Sequence, residues 1–293
     1  MKPAPFEYAR AASAADAVAL LAEHGSDAKL IAGGQSLVPM MAMRLVRPSF
    51  LVDIRQAADL CAVRIEAAEA VIGACVRQCD ALADAALCAA LPLLEPAIRW
   101  IGHLQTRNRG TVGGSISHAD PCAELPLVAA MLEAKLVLRG RSGQAAVAAA
   151  DFFTGPMSTA LEPDQCMTEV RLPLWKEGRV GAAFDEVSIR HGDFAIVSAA
   201  AQVALDASGK CIRAAIGSGG AGPVPMAFPA IAAQLVGTKL EDAALDAAAD
   251  AVSRAVEPGA DLHGSVEYRR HLARVLTNRV LRKARANAQA GSK

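Results

Sequence analysis

The sequence carries no excess charge of either sign: thirty Lys and Arg offset thirty Asp and Glu. A chain without a net field has nothing to draw nucleic acid or an anionic membrane from a distance, so any basic patch must be local. Long apolar runs are missing too. No stretch approaches the roughly eighteen consecutive apolar residues of a membrane-spanning helix. The opening Met1-Lys2-Pro3-Ala4-Pro5-Phe6-Glu7-Tyr8 has no apolar core of the kind an export signal needs. The seven cysteines, scattered from Cys61 to Cys211, are odd in number and suit reduced thiols rather than a disulfide framework. These absences predict a soluble, cytoplasmic protein with no direct membrane insertion. Three catalytic signatures are absent as well: the G-x-x-x-x-G-K-[S/T] phosphate loop, the H-E-x-x-H zinc helix and the G-x-S-x-G nucleophile elbow. Nucleoside triphosphate hydrolysis and zinc peptidase chemistry are set aside on that ground.

What is present is a chain of 293 residues, 53% hydrophobic and 20% charged, with much of the apolar fraction supplied by alanine. At about 150 residues per domain the length predicts two domains able to enclose a large ligand. Ser13 caps an expected helix carrying Val18, Leu20 and Leu21 that stops at Gly25, and Lys29 to Ala32 then forms a short strand ending in Gly33-Gly34. Extended segments are expected at 49–54, 61–65 and 70–74, and helices at 78–90 and 92–101. A second glycine turn, Thr111-Val112-Gly113-Gly114, precedes a helix at 124–132 and strands at 135–139, 144–148 and 165–172. The turn-rich Pro173 to Gly178 stretch places a domain boundary near residue 176. Beyond it, strands at 183–190, 195–206 and 210–216 form an expected antiparallel meander, followed by helices near 228–235, 241–256 and 265–288 packed on one face.

Several motifs compete for chemistry. Gly217-Ser218-Gly219-Gly220-Ala221-Gly222 matches the G-x-G-x-x-G dinucleotide fingerprint after a strand. Pro223 and Pro225, however, impose extended backbone where the fingerprint needs a helix to begin, which favours a structural bend. Cys75 and Cys79 lack a second pair at ligand spacing, so buried small hydrophobes are expected there and no metal site. Of the six histidines, His103 and His118 lie nearest a glycine turn. The paired glycine turns are the stronger signal. In Ala32-Gly33-Gly34-Gln35-Ser36-Leu37-Val38-Pro39, glycines let successive amides converge into a concave anion site, and Ser36 adds a hydroxyl. In Thr111 to Pro121, a second glycine pair sits between hydroxyl donors and Asp120. Two such turns favour one shared dinucleotide, and a side chain at Gly33 or Gly114 is expected to block the phosphate path.

These residues carry a resemblance. The segments Lys29 to Pro39 and Arg107-Asn108-Arg109-Gly110-Thr111-Val112-Gly113-Gly114-Ser115 through Pro126 are similar to the two flavin-binding segments of the FAD-carrying medium subunit of molybdenum hydroxylases, the carbon monoxide dehydrogenase and xanthine dehydrogenase family. Further matches are Asp151 to Gly155, Arg190 to Ala195, the Gly219-Gly220 to Pro225 bend and Tyr268-Arg269-Arg270-His271-Leu272.

The resemblance implies an α+β fold: a two-lobed FAD-binding domain of the vanillyl-alcohol-oxidase (PCMH) type over 1–176, its lobes about 1–55 and 56–176, then a smaller C-terminal domain of antiparallel sheet and helices over 177–293. It implies FAD held at its diphosphate by Ala32, Gly33, Gly34, Gln35, Ser36 and Leu37 with Thr111, Gly113 and Gly114. Ser115 and Asp120 would bond nearby ribose or phosphate oxygens, and Lys29 stands at the approach to the first loop. Ile101 and Met167 would pack on the flavin or adenine rings, and Glu124 would contact the adenosine side. At the segment facing the isoalloxazine this chain offers His191 and Asp193. The implied partners are a small subunit with [2Fe-2S] clusters and a large subunit with the molybdenum cofactor, assembled as a dimer of heterotrimers. Electrons would enter the flavin singly from the clusters and leave to a terminal acceptor. The alternatives are a self-sufficient FAD oxidoreductase of the same fold and a non-enzymatic binding protein that has lost FAD. No catalytic acid–base pair is expected on this chain. The basic stretch Arg269, Arg270, Arg274, Arg279, Arg282, Lys283 and Arg285 accompanies an apolar stripe of Leu272, Val275, Leu276 and Val280. A solvated face, a nucleic-acid site and a subunit contact are all open for it on sequence alone, with zero net charge against the second.

Overall fold

A computed structural model describes residues 2–291. The first lobe is a three-stranded parallel sheet in the order β1-β3-β2, built from β1 (Glu7–Arg10), α1 (Ala14–His24), β2 (Ala28–Ile31), α2 (Leu37–Ala42) and β3 (Phe50–Asp53). Ser13 starts α1 by accepting the Asp16 amide at 3.1 Å, and Gly25 ends it at φ +57°. Helix α1 buries Ala14, Ala17, Val18 and Leu21 in a core shared with Phe50 and Val52.

The second lobe begins with β4 (Val63–Ile65), β5 (Glu69–Gly73), α3 (Gln78–Ala83), α4 (Ala85–Ala90), α5 (Leu94–Ile98), α6 (Leu104–Arg107), α7 (Val112–His118) and α8 (Glu124–Met131). It continues through β6 (Lys135–Gly140), β7 (Gly143–Ala148), α9 (Ala149–Phe152), β8 (Phe153–Gly155), β9 (Ser158–Thr159) and β10 (Cys166–Pro173). Its five-stranded sheet runs β4-β5-β10-β6-β7, antiparallel throughout. The single helix expected over 78–90 is two, because the Asp84 carboxylate accepts the Leu87 amide at 2.9 Å and restarts the helix.

The remaining chain forms the expected meander, with strand ends shifted by a few residues: β11 (Arg179–Val187), β12 (Val197–Leu205), β13 (Cys211–Gly219) and the short β14 (Met226–Ala227). Helices α10 (Pro229–Ala233), α11 (Asp242–Ala255) and α12 (Val266–Ala290) follow. One face of this sheet meets α12 through Ala199, Ala201 and Val203 against Leu276, Val280 and Ala284. The other presents Ala182, Phe184 and Ala200 to the core of the second lobe. A Cβ on Gly181 would lie 2.2 Å from the Ala284 carbonyl oxygen, so glycine and alanine here permit a helix-to-sheet approach that larger residues would block. No helix of the described residues is long and apolar enough to cross a membrane.

Five of the seven basic residues of the α12 stripe, Arg269, Arg274, Arg279, Arg282 and Arg285, pair with acids of this chain. Arg282 and Arg285 reach Asp242 at 2.6 and 2.9 Å, Arg279 reaches Asp185 at 2.8 Å, and Arg274 pairs with Asp250. These exposed pairs add little to stability, but they set the α12 charges against the acidic edge of α11 and the neighbouring strand. Gly217 and Gly219 lie inside β13 and the next element is the short strand β14, not a helix, so the G-x-G-x-x-G match is a strand end. A Cβ at Gly217 would meet Leu127 of α8 at 2.8 Å, which is why glycine stands there.

Candidate functional site

The loop Ala32–Ser36 leaves the C-terminal end of β2 and turns into α2. Gly34 adopts φ +71°, a backbone conformation that costs glycine little and other residues more. None of the amides of Gly33, Gly34, Gln35 and Ser36 meets a protein acceptor among the described residues. The Ser36 hydroxyl makes no capping bond to α2 either, while Gln35 folds its amide back to the Gly33 carbonyl at 3.3 Å. Buried or half-buried backbone donors are ordinarily satisfied. Four consecutive open ones, with Gly33 buried and Gly34 and Ser36 half-buried, suit an anionic group with several oxygens.

The two glycine segments come together. A Cβ on Gly33 would lie 2.3 Å from the Arg109 carbonyl oxygen and 2.8 Å from Gly110 Cα, and one on Gly114 would lie 3.8 Å from Ala32 Cβ. The side chain of a substituted Gly33 would thus strike the neighbouring backbone, not an open phosphate path. The second segment is also not a turn but the start of α7: Thr111 is its N-cap, and the Thr111 hydroxyl accepts the Gly114 amide at 3.1 Å. The amides of Val112 and Gly113 donate to the carbonyls of Val76 and Ala74, both at 2.9 Å. Gly113 is glycine because its Cβ would collide with Ala74 at 2.5 Å. The open main-chain donors are therefore concentrated in the first segment, and the second acts as the wall that holds it.

The other sequence candidates are not gathered at this contact. Ser115 is half-buried on α7, and Asp120 turns one carboxylate oxygen back to the Cys122 amide at 2.9 Å. Lys29 is exposed on β2. Met167 is buried, with its sulfur 3.8 Å from the Ser117 hydroxyl. Ile101 is buried in the second-lobe core, and its carbonyl accepts from Arg107 at 2.8 Å. Glu124 is buried at the start of α8, facing the C-terminal sheet, and burial raises its pKa to about 7. His191 stacks on Trp100 with ring centroids 5.2 Å apart, and Asp193 pairs with Arg190 at 3.2 Å. Gly192, at φ +91°, lies against the His103 ring, so the 188–195 loop rests on the chain leading to α6. Sequence reasoning missed the Arg109–Gly110 backbone as the floor of the first loop. The only signal for it was Gly110, whose Cβ would meet Gln78 Oε1 at 2.6 Å.

The seven cysteines are free. Cys75 is buried and donates to the Ile54 carbonyl at 3.3 Å. Among the described residues no three His, Cys, Asp or Glu side chains come together as metal ligands.

Comparison with known proteins matches this geometry to a family. Residues 4–175 match the FAD binding domain in molybdopterin dehydrogenase, and residues 182–284 match the CO dehydrogenase flavoprotein C-terminal domain. The chain is 40% identical over 284 residues to the 6-hydroxypseudooxynicotine dehydrogenase complex subunit alpha of Paenarthrobacter nicotinovorans, covering 97% of this chain and 96% of that one. It is 37% identical over 289 residues to the carbon monoxide dehydrogenase medium chain of Afipia carboxidovorans, covering 99% and 100%. A solved carbon monoxide dehydrogenase from Hydrogenophaga pseudoflava, lacking the Mo-pyranopterin moiety, superimposes with a TM-score of 0.94 at 37% identity, covering 98% of this chain and 99% of that one. An FAD-binding domain joined to a flavoprotein C-terminal domain defines the class as an oxidoreductase component. The chain belongs to the family of FAD-binding medium subunits of molybdenum hydroxylases. The open amides of Gly33–Ser36 and the uncommitted Ser36 hydroxyl fit the phosphates of that cofactor.

Proposed function

We propose that this chain is the electron-transfer subunit of a heteromeric molybdenum hydroxylase, in the cytoplasm. It would accept electrons from [2Fe-2S] clusters of a small partner and deliver them to a terminal acceptor, while a large molybdenum-cofactor subunit hydroxylates the substrate. The assembly is a dimer of such heterotrimers, and the chain divides near residue 176 into its FAD-binding and C-terminal domains. FAD supplies a centre that can exchange electrons singly or in pairs.

The chain's own residues bind and orient. Gly33, Gly34, Gln35 and Ser36 donate their amides to the diphosphate, with Ser36 adding its hydroxyl and Ala32 and Leu37 shaping the loop ends. Thr111, Gly113 and Gly114 fix the wall on which that loop rests. Ser115 takes an adjacent ribose or phosphate oxygen, and Asp120 accepts a ribose hydroxyl through the carboxylate oxygen not used by Cys122. Lys29 adds positive charge at the approach. Ile101, Glu124 and Met167 back the site from the protein interior.

The observation that carries this reading is the run of four open amides at Gly33–Ser36, pressed against Arg109–Gly110. Purified alone, the chain should bind FAD noncovalently and show a flavin spectrum that substrate does not bleach until the two partner subunits are added. A colourless protein that gains no absorbance with FAD would refute the cofactor role. Bleaching by substrate without partners would refute the subunit role.

A further inference from the structure

Two acidic side chains lie on facing sides of the contact between α8 and the C-terminal sheet, with no basic side chain among the described residues paired to either. Glu124 opens α8 and is 9% exposed, and Glu186, near the end of β11, is 5% exposed. Strand register sets Glu186 opposite Ser198 and Ser198 opposite Gly219. A Cβ on Gly219 would lie 2.6 Å from Ser198 Oγ and 3.3 Å from the Pro121 carbonyl oxygen, so this row of the sheet faces the turn that leads into α8. Among the described residues, neither carboxyl oxygen of Glu186, nor the Ser198 hydroxyl, has a hydrogen-bond partner.

The charges acting on the pair are all acidic: Glu124 and Asp185 on Glu186, and Asp120 on Glu124. Asp185 alternates to the other face, where Arg279 of α12 holds it at 2.8 Å. On α5, which packs against β11, Glu95 and Arg99 satisfy each other at 2.6 Å. Burying two ionised carboxylates without a cation is unfavourable, and like charges drive one of them to remain neutral. The amides at the start of α8 favour the anion on Glu124, whereas β11 offers Glu186 no donor. Burial accordingly pushes Glu186 further up than Glu124.

We propose that Glu186 is a protonated carboxylic acid at neutral pH, and that its neutrality is what lets the C-terminal sheet seat against α8. The proposal stands on the interface itself, independent of which partners the chain has. Helix α8 follows the segment from Thr111 to Asp120, and β11 leads into the loop resting on Trp100 and His103. When the proton is lost to solvent, an unpartnered carboxylate is left inside that contact and the seating of the sheet on α8 weakens.

The sign follows from proton uptake. The folded chain holds a proton on Glu186 that the unfolded chain releases above its ordinary value of 4.5, so stability falls as pH rises from there towards about 9 and levels off beyond it. The experiment is infrared difference spectroscopy on the full chain with a pH titration, paired with thermal unfolding of wild type and Glu186→Gln. The wild type should show the C=O stretch of a protonated carboxylic acid at neutral pH that disappears towards about pH 9, and Glu186→Gln should lack it. The Tm of the wild type should fall relative to Glu186→Gln over the same range. Should Glu186→Gln not fold, Glu186→Asp should move the band. Absence of the band at neutral pH, its persistence unchanged in the variants, or parallel Tm curves would overturn the proposal. So would a stoichiometric cation, retained through dialysis, bridging two ionised carboxylates.

Discussion

Gly33 and Arg109 meet backbone to backbone. The missing side chain of Gly33 would sit 2.3 Å from the Arg109 carbonyl oxygen, so the two glycine segments are in van der Waals contact only because residue 33 has no Cβ. That contact holds the open amide array of the first loop against the start of α7.

Gly33→Ala should therefore part the segments and weaken FAD binding at least tenfold, which corresponds to about 1.4 kcal/mol, with Gly33→Val worse. Gly259→Ala, where a Cβ meets nothing within 4 Å, is the matched control and should bind normally. Fluorescence titration with FAD checks this. Equal affinity in Gly33→Ala and the control would mean that the loop does not need this support.

Thr111→Val removes the hydroxyl that caps α7 while keeping its shape. Loss of such a cap costs about 1 kcal/mol, so urea unfolding should show a drop of that size, and Thr111→Ser should restore most of it. A drop in Thr111→Ser equal to that in Thr111→Val would assign the effect to packing.

Arg269 is a buried staple. Its guanidinium donates to the carbonyls of Ile196 and Gly220 at 2.5 and 2.9 Å and to Asp261 at 2.6 Å, tying α12 to the end of the β12–β13 pair beside Pro121. Arg269→Met should cost about 3 kcal/mol, because two carbonyls lose a charged donor inside the fold. Asp261→Asn, at a side chain half exposed, should cost under about 1 kcal/mol. Chemical denaturation of the two variants separates these expectations.

Asp53 governs acid stability of the first lobe. Burial alone would raise its pKa, but hydrogen bonds from Arg55 and from Tyr8 outweigh burial and hold it at about 2. A carboxyl depressed in the fold contributes stability above its unfolded value of 3.8, and that contribution is lost as pH falls through about 2. Asp53→Asn should be less stable than wild type by about 2 kcal/mol at neutral pH, and the gap should close on acidification. A pH-independent gap would mean that the loss is one of packing.

Local chemistry made much of this fold readable. Ser13 and Gly25 bound α1 as their caps require, the meander follows from extended runs joined by a tight turn at Asp206–Gly209, and Ser265 opens α12 by accepting the Tyr268 amide. What was not readable depends on contacts distant in sequence. Thr111–Gly114 looks like a glycine turn until Val76 and Ala74 supply carbonyls for its amides and make it a helix start. Strand β10 enters between β5 and β6 from far along the chain, a pairing no local pattern states. The basic stripe of α12 looks solvated until Asp242, Asp246 and Asp250 of α11 come beside it. Glu186 is one acid among thirty acidic residues until the sheet brings its row to face the start of α8.

The most direct measurement is the structure of this chain with FAD bound. The account predicts diphosphate oxygens about 3 Å from the amides of Gly33, Gly34, Gln35 and Ser36, with Thr111 still capping α7. A diphosphate seated away from these amides, or donors on α7 replacing them, would contradict it.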